Sequence, residues 1–125
     1  MRHERDLLLE GAAVLGLQLE SQQVDRLLRY VDELEKWNRV HNLTAVRKRE
    51  EMLSHHLLDS LAVAPHLPAG ALCDVGTGPG LPGIPLAILE GGRAVSLVES
   101  IGKKTAFLMH AKAAAGLDNE AFSIS

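Results

Sequence analysis

The residues with the clearest chemical potential form a glycine-rich loop that lies between two acidic side chains. Glycines occupy the alternate positions 76, 78 and 80, where they let the backbone turn sharply and approach a ligand closely. Asp74 precedes this loop, and Glu99 follows it after about twenty residues. A carboxylate at that distance can accept hydrogen bonds from both hydroxyls of a ribose. The pattern predicts a nucleotide-binding loop, because a simple tight turn leaves Glu99 without a role.

Two classes of nucleotide cofactor are compatible with this loop. The stretch from Gly78 to Gly83 satisfies the fingerprint G-x-G-x-x-G, in which backbone N–H groups bind the pyrophosphate of a dinucleotide. However, Pro79 and Pro82 lack N–H groups, and the carboxylate of Asp74 would repel an anionic pyrophosphate. The same carboxylate would favour the positive charge of S-adenosylmethionine. The loop therefore favours a Rossmann-like methyltransferase, with a nucleotide-dependent oxidoreductase fragment as the alternative.

Basic residues are concentrated in two parts of the chain. Arg39, Arg47 and Arg49 belong to the densest basic stretch, and Lys103 and Lys104 open a predicted helix beside the loop. Such residues bind RNA phosphates, or they simply form a solvated surface. Both interpretations of these five residues stay open at this point.

Three potential metal ligands lie close together in the sequence. His55, His56 and Asp59 fall within about one helical turn, and His55 and Asp59 share a face. A structural metal site needs about four ligands, and the sequence offers no further cluster to complete one. We predict capping, packing or RNA-facing roles for these side chains, and no metal site.

The first 70 residues have the apolar periodicity of helices. Apolar positions at 3.6-residue spacing predict three helices, which cover residues 5–15, 21–37 and 49–64. Ser21 is the predicted N-cap of the second helix. An irregular polar stretch is predicted over residues 38–44.

The pattern changes after Gly70. Short apolar runs predict buried parallel strands over residues 71–75 and 94–98, with a third strand over 121–125. Helices are predicted between them, over residues 84–89 and 103–115. This alternation predicts a parallel sheet with right-handed crossovers. The predicted architecture is α/β, with a helical N-terminal cap (residues 1–70) and an incomplete Rossmann-like methyltransferase core (residues 71–125).

Composition sets broad limits on function. The chain has 125 residues, of which 46% are hydrophobic, and this content is ample for a packed core. A net charge of −3 argues against nucleic-acid binding over the whole surface, although local basic patches remain possible. The single cysteine, Cys73, fits a reducing compartment. No apolar run is long enough to span a membrane, so a cytoplasmic protein is expected.

Several stretches of this sequence together resemble one family. The loop Asp74-Val75-Gly76-Thr77-Gly78-Pro79-Gly80-Leu81-Pro82-Gly83-Ile84-Pro85-Leu86 is the most specific of them. The others are Trp37-Asn38, Asn42-Leu43-Thr44-Ala45-Val46, His56-Leu57-Leu58-Asp59-Ser60 and Glu99-Ser100-Ile101-Gly102-Lys103-Lys104. They resemble the glucose-inhibited division protein B family, the bacterial 16S ribosomal RNA guanine-N7 methyltransferases.

The resemblance implies S-adenosyl-L-methionine as cofactor and the 16S rRNA of the small ribosomal subunit as substrate. It implies a class I methyltransferase core, with Glu99 bound to the ribose and the loop lining the cofactor pocket. The implied pocket residues are Gly76, Thr77, Gly78, Pro79, Gly80 and Leu81. Guanine N7 has a free lone pair and no proton, so we expect no general base and assign no catalytic residue.

Members of this family continue well beyond the length of this chain. The resemblance implies further strands that pair with the outer edge of the first strand. Without them, residues 71–75 would form an unpaired apolar edge, through which the chain is expected to self-associate. An inactive cofactor-binding or interaction fragment is therefore an alternative to an active enzyme.

Overall fold

A computed structural model describes residues 2–119 and 121–125 and begins with three helices. Helix α1 spans Arg2–Val14, α2 spans Ser21–His41, and α3 runs continuously through the segments Arg49–Glu51, Met52–Leu58 and Asp59–Leu61. The middle segment of α3 is π-helical, which apolar spacing alone does not reveal. A short 3-10 turn, Ala64–His66, leads towards the sheet. None of the described helices is both long and apolar enough to cross a membrane.

The second half of the chain alternates strands with helices. The elements are β1 (Leu72–Val75), α4 (Gly83–Leu89), β2 (Val95–Val98), α5 (Gly102–Ala114) and β3 (Phe122–Ile124). The strands are parallel and lie in the order β1-β2-β3, with Leu72 opposite Val95 and Val95 opposite Phe122. These elements confirm the predicted α/β fold with an incomplete parallel sheet.

One apolar core joins the helical segment to the sheet. Leu27, Tyr30 and Leu34 of α2 are fully buried, as are Phe107 and Leu108 of α5. Helix α2 packs along α5 and also contacts α4, and these two helices in turn contact the strands. The order of layers is therefore sheet, then α4 and α5, then α2.

Helix α2 differs from its prediction at both ends. Its N-cap is Glu20 rather than Ser21, and the Glu20 N–H donates to Gln23 Oε1 at 2.7 Å. The helix continues through Asn38 and ends before Asn42, which adopts a left-handed φ of 51°. Asn38 stays helical because its side chain bonds to the backbone of the following loop rather than to its own helix.

The expectation of a buried first strand is wrong. Val75 is 74% exposed and Cys73 is also exposed, whereas Leu72 and Asp74 are half-buried. Within the described residues β1 pairs only with β2, so its outer edge is free. Helix α4 packs on the face that carries Asp74, and the opposite face of β1 is left to solvent.

Candidate cofactor-binding site

The glycine-rich loop lies where the carboxyl ends of β1 and β2 meet the start of α4, which is the usual ligand crevice of an open parallel sheet. The N–H groups of Gly76 and Thr77 both donate to the Val98 carbonyl, at 2.8 and 3.2 Å. Gly76, Gly78 and Gly80 have φ values of 69°, 61° and 98°, in the left-handed region that favours glycine. The alternate spacing of these glycines therefore has a direct backbone cause.

Asp74 bonds to both ends of the loop. Its Oδ2 atom accepts a hydrogen bond from Thr77 Oγ1 at 2.7 Å and another from the Gly83 N–H at 3.0 Å. A Cβ atom at position 83 would lie 2.2 Å from Leu97 Cδ2 and 2.9 Å from Asp74 Oδ2. Only glycine therefore lets the first turn of α4 approach the strands this closely.

Glu99, which directly follows β2, holds the loop through two hydrogen bonds. Its Oε1 atom accepts the Gly78 N–H at 2.7 Å, and its Oε2 atom accepts the Ile101 N–H at 3.0 Å. These two bonds, with the larger effect from Ile101, lower the pKa of Glu99. A carboxylate has roughly four lone-pair positions, so about two remain for ligand hydroxyls. The predicted ribose contact stays a prediction.

Tyr30 of α2 also contacts the loop, and sequence analysis does not identify it. Its hydroxyl donates to the Pro79 carbonyl at 2.7 Å, although its side chain is fully buried. Burial, and then the negative charge of Asp74, raise the pKa of Tyr30, so the hydroxyl keeps its proton. Helical periodicity places Tyr30 on the core-facing side of α2, but periodicity carries no information about the partner of its hydroxyl.

The backbone polar groups of the loop are used unequally. In the described part of the chain, every N–H group from Gly76 to Ile84 already has an acceptor, and Pro79 and Pro82 have none to offer. By contrast, the carbonyl oxygens of Gly76 and Gly78 accept no hydrogen bond from any described residue. The loop therefore presents acceptors and carboxylates to a ligand, and no free backbone donors.

Four of the five predicted RNA-binding residues lie at the surface. Arg39, Arg47 and Lys103 are exposed, and Lys104 is partly exposed. The Arg47 guanidinium donates to the side chain of Asn42. The role of these residues in RNA binding stays a prediction.

The two basic regions are related through the packing of α2 on α5. Glu33 Oε2 lies 2.8 Å from His110 Nε2, and the Trp37 ring lies 5.7 Å from the Phe107 ring. Advancing along α2 thus means moving back along α5, so the helices are antiparallel. The C-terminal end of α2, which carries Arg39, points towards the first turn of α5, which carries the two lysines.

Arg49 has a different environment from the other basic candidates. Its guanidinium bonds to both carboxylate oxygens of Glu4, at 2.6 and 3.0 Å. Asp32 lies 2.7 Å and Glu35 3.3 Å from the same group. The hydrogen bond to Glu4 is the main cause of a raised pKa for Arg49. Arg49 therefore connects α1, α2 and α3, and its charge is already balanced within the chain.

The predicted histidine pair is not part of a ligand cluster. His56 Nε2 lies 2.9 Å from Thr44 Oγ1, and burial lowers the pKa of His56, so its ring is neutral near pH 7. The neighbouring His55 is exposed. Among the residues that the structure describes, no three His, Cys, Asp or Glu side chains are grouped as a metal site would require.

The sequence matches one family of known proteins. The family model of rRNA small subunit methyltransferase G, or GidB, matches residues 23–123. A ribosomal RNA small subunit methyltransferase G from Nitrosospira multiformis is 53% identical over 112 residues, which are 90% of this chain and 52% of that protein. The same-named protein of Cellvibrio japonicus is 49% identical over 120 residues, covering 92% of this chain and 55% of the relative. The chain thus spans about half the length of the curated relatives it matches. On this evidence the chain belongs to the GidB family.

Proposed function

We propose that this chain forms the S-adenosylmethionine-binding part of an enzyme that methylates guanine N7 in the 16S rRNA of the small ribosomal subunit. Membership of the GidB family supports methylation of ribosomal RNA. The cofactor assignment depends on one observation about the site, namely that the loop presents acceptors and no free backbone donors.

The polarity of the loop fits S-adenosylmethionine better than a dinucleotide. A pyrophosphate binds through backbone N–H groups, and none is free from Gly76 to Ile84 in the described chain. The free carbonyl oxygens of Gly76 and Gly78 would instead accept an ammonium group. The negative charges of Asp74 and Glu99 favour a cationic ligand in the same crevice. This polarity weighs against the oxidoreductase alternative.

Glu99 would hold the ribose in this proposal. Its two bonds to loop N–H groups fix the carboxylate in place before a ligand arrives. Its pKa is lowered by bonds from the Ile101 and Gly78 N–H groups, so it stays ionised to more acidic pH than an ordinary glutamate and acts as an acceptor for hydroxyl donors. The family resemblance and the position at the end of β2 support this role.

The proposed reaction needs no proton transfer before methyl transfer. Bound S-adenosylmethionine supplies an electrophilic methyl group, and guanine N7 supplies a lone pair. The contribution of this chain is therefore to bind and orient the cofactor, and to exclude water from the reacting atoms. Asp74 and Glu99 are both engaged with the loop, so neither is proposed as a base.

The RNA surface is proposed to consist of Arg39, Arg47, Lys103 and Lys104. Arg39, Lys103 and Lys104 lie at the adjoining ends of α2 and α5, and Arg47 bonds to Asn42 at the C-cap of α2. Their positive charges suit phosphates. Arg49 is omitted because three carboxylates surround its guanidinium. A ribosomal RNA substrate places the protein in the cytoplasm, and this location is part of the proposal.

The direct test of this function is calorimetric titration of the chain with S-adenosylhomocysteine, and separately with NADH. We expect micromolar binding of S-adenosylhomocysteine, which Glu99→Gln weakens and the exposed-acid control Glu50→Gln does not. Binding of NADH alone would refute the cofactor assignment.

Methyl transfer is tested separately, since the chain spans about half of its relatives. The chain is incubated with small ribosomal subunits and methyl-labelled S-adenosylmethionine. Label recovered as 7-methylguanine would show activity of this chain. Cofactor binding without transfer would instead favour the cofactor-binding fragment.

A further inference from the structure

Tyr30 links the helical segment to the loop of the proposed cofactor site. Within the described residues, it is the only α2 side chain with a hydrogen bond to the loop of residues 76–82. We propose that Tyr30 is a positioning residue, whose hydroxyl sets the binding geometry of this loop. The inference rests on the proposed cofactor-binding function and names a residue of α2, outside the loop and the strands, on which binding depends.

The Gly78–Pro79 peptide lies between two peptide planes that hydrogen bonds hold in place. The Glu99 carboxylate accepts the N–H of Gly78, at 2.7 Å, and so fixes the plane before the Gly78–Pro79 peptide. The plane after it is held at both of its polar atoms, because Tyr30 donates to the Pro79 carbonyl at 2.7 Å and the Gly80 N–H donates to the Thr77 carbonyl at 3.1 Å. The Gly78–Pro79 peptide itself has no N–H, and its carbonyl oxygen has no partner in the described chain. Its orientation therefore depends on these two anchored neighbours.

This dependence is strong because the flanking residues are glycines. Gly78 and Gly80 have φ values of 61° and 98°, and glycine reaches many other backbone conformations at little cost. Loss of the Tyr30 bond leaves the Pro79–Gly80 plane held only by the 3.1 Å bond from the Gly80 N–H to the Thr77 carbonyl, and so loosens this plane and, with it, the direction of the Gly78 carbonyl. That carbonyl is one of the two acceptors proposed for the ammonium group of the ligand.

The hydroxyl of Tyr30 is needed for this contact and not for packing. The ring lies 6.2 Å from the Phe107 ring in the core, where a phenylalanine would fill almost the same space. A buried hydroxyl costs free energy unless it is hydrogen-bonded, and here the Pro79 carbonyl is its partner. Because α2 also carries Arg39, the same helix joins the proposed RNA surface to the loop.

The test compares Tyr30→Phe with Ser21→Ala in the full chain. Ser21 is the first residue of α2, and its hydroxyl accepts a bond from Arg5 at 2.8 Å, far along the helix from the loop. Each variant removes one hydroxyl of the same helix. S-adenosylhomocysteine affinity is measured by calorimetry, and amide exchange of Gly80 and Leu81 by NMR, with thermal midpoints as a check on folding.

We expect Tyr30→Phe to bind S-adenosylhomocysteine about threefold to tenfold more weakly, which is the range for one lost hydrogen bond. The Gly80 and Leu81 amides should exchange faster in this variant alone, with the amides of α2 still protected. Equal affinity and equal exchange in Tyr30→Phe and the parent chain would overturn the proposal. So would an equal loss in Ser21→Ala, which would show general destabilisation.

The exchange measurement separates this inference from the proposed function. If the parent chain binds no S-adenosylhomocysteine, the cofactor assignment fails, and the exchange rates of the unliganded variants still decide the role of Tyr30. Faster loop exchange in Tyr30→Phe alone would then support positioning of the loop. Unchanged exchange would reject it.

Discussion

Arg47 and Arg49 are close in sequence but should have separable roles. Arg47 is exposed, with one bond to Asn42, whereas Arg49 is surrounded by carboxylates from α1 and α2. We expect Arg49→Met to lower the free energy of unfolding without changing the salt dependence of RNA binding. We expect Arg47→Met to reduce the salt dependence of RNA binding without lowering the free energy of unfolding.

The magnitude for Arg49 follows from its burial and partners. Removing one member of a buried ion pair costs about 3–5 kcal/mol, because the remaining charge is left unpaired. The Arg49 side chain is 24% exposed and that of Glu4 14% exposed, so the pair is partly accessible to solvent. We therefore expect a loss of about 2 kcal/mol at neutral pH, after allowing for solvent screening.

The same loss should depend on pH in a defined direction. The hydrogen bond from Arg49 is the main cause of the lowered pKa of Glu4, whose ordinary value is 4.5. A carboxylate with a lowered folded-state pKa contributes stability above its unfolded pKa, and this contribution disappears as pH falls through the folded pKa. The difference between parent and Arg49→Met should therefore shrink below pH 4.5.

Urea unfolding at several values from about pH 3 to about pH 7 measures the difference in the free energy of unfolding between the parent chain and Arg49→Met. The salt dependence of RNA binding is measured as the slope of the logarithm of the binding constant against the logarithm of the salt concentration, for a 16S rRNA fragment. One lost phosphate contact should reduce this slope by about 0.7 on a single strand and about 0.9 on a duplex. A reduced slope in Arg49→Met, with a normal slope in Arg47→Met, would refute the assignment of these two arginines.

Three further predictions concern the loop and the sheet. Gly83→Ala should destabilise the fold by about 1–3 kcal/mol in urea unfolding, because its Cβ would overlap Leu97; full stability would contradict the packing. Binding of S-adenosylhomocysteine should weaken only as pH falls below 4.5, because bonds from Ile101 and Gly78 lower the pKa of Glu99 from this ordinary value and protonation removes the acceptor. A calorimetric affinity that does not change with pH in this range would contradict this role. Val75→Lys should reduce concentration-dependent association in sedimentation experiments, because a charge blocks the free edge of β1; unchanged association would reject that edge as the contact.

The order of the elements is predictable from sequence because it depends on local periodicity and turn chemistry. Apolar spacing locates α2 and α5, and the glycines at alternate positions locate the loop between β1 and α4. The closeness of Glu99 to the loop also follows, since parallel strands bring their carboxyl ends to one edge. These features need no knowledge of distant side-chain contacts.

Contacts between distant parts of the chain are not predictable in this way. The bond from Tyr30 to Pro79 joins residues 49 positions apart, and that from Arg49 to Glu4 joins residues 45 positions apart. A tyrosine or an arginine on a helix has the same local pattern whether its polar group meets solvent or a partner. The open face of β1 is equally invisible, because an apolar run indicates a strand but not which of its faces is covered.

The layer order gives the helical segment a specific relation to the proposed site. Helices α4 and α5 cover one face of the sheet, and α2 packs on the far side of those helices. Tyr30 therefore reaches the loop from the interior of the fold, as its complete burial requires. From that side α2 can hold the loop in shape, whereas it cannot close over a ligand bound at the carboxyl ends of the strands. The division predicted at residue 70 thus separates two segments that share a core, and we expect residues 71–125 alone to lose loop order, because they lack the donor for the Pro79 carbonyl.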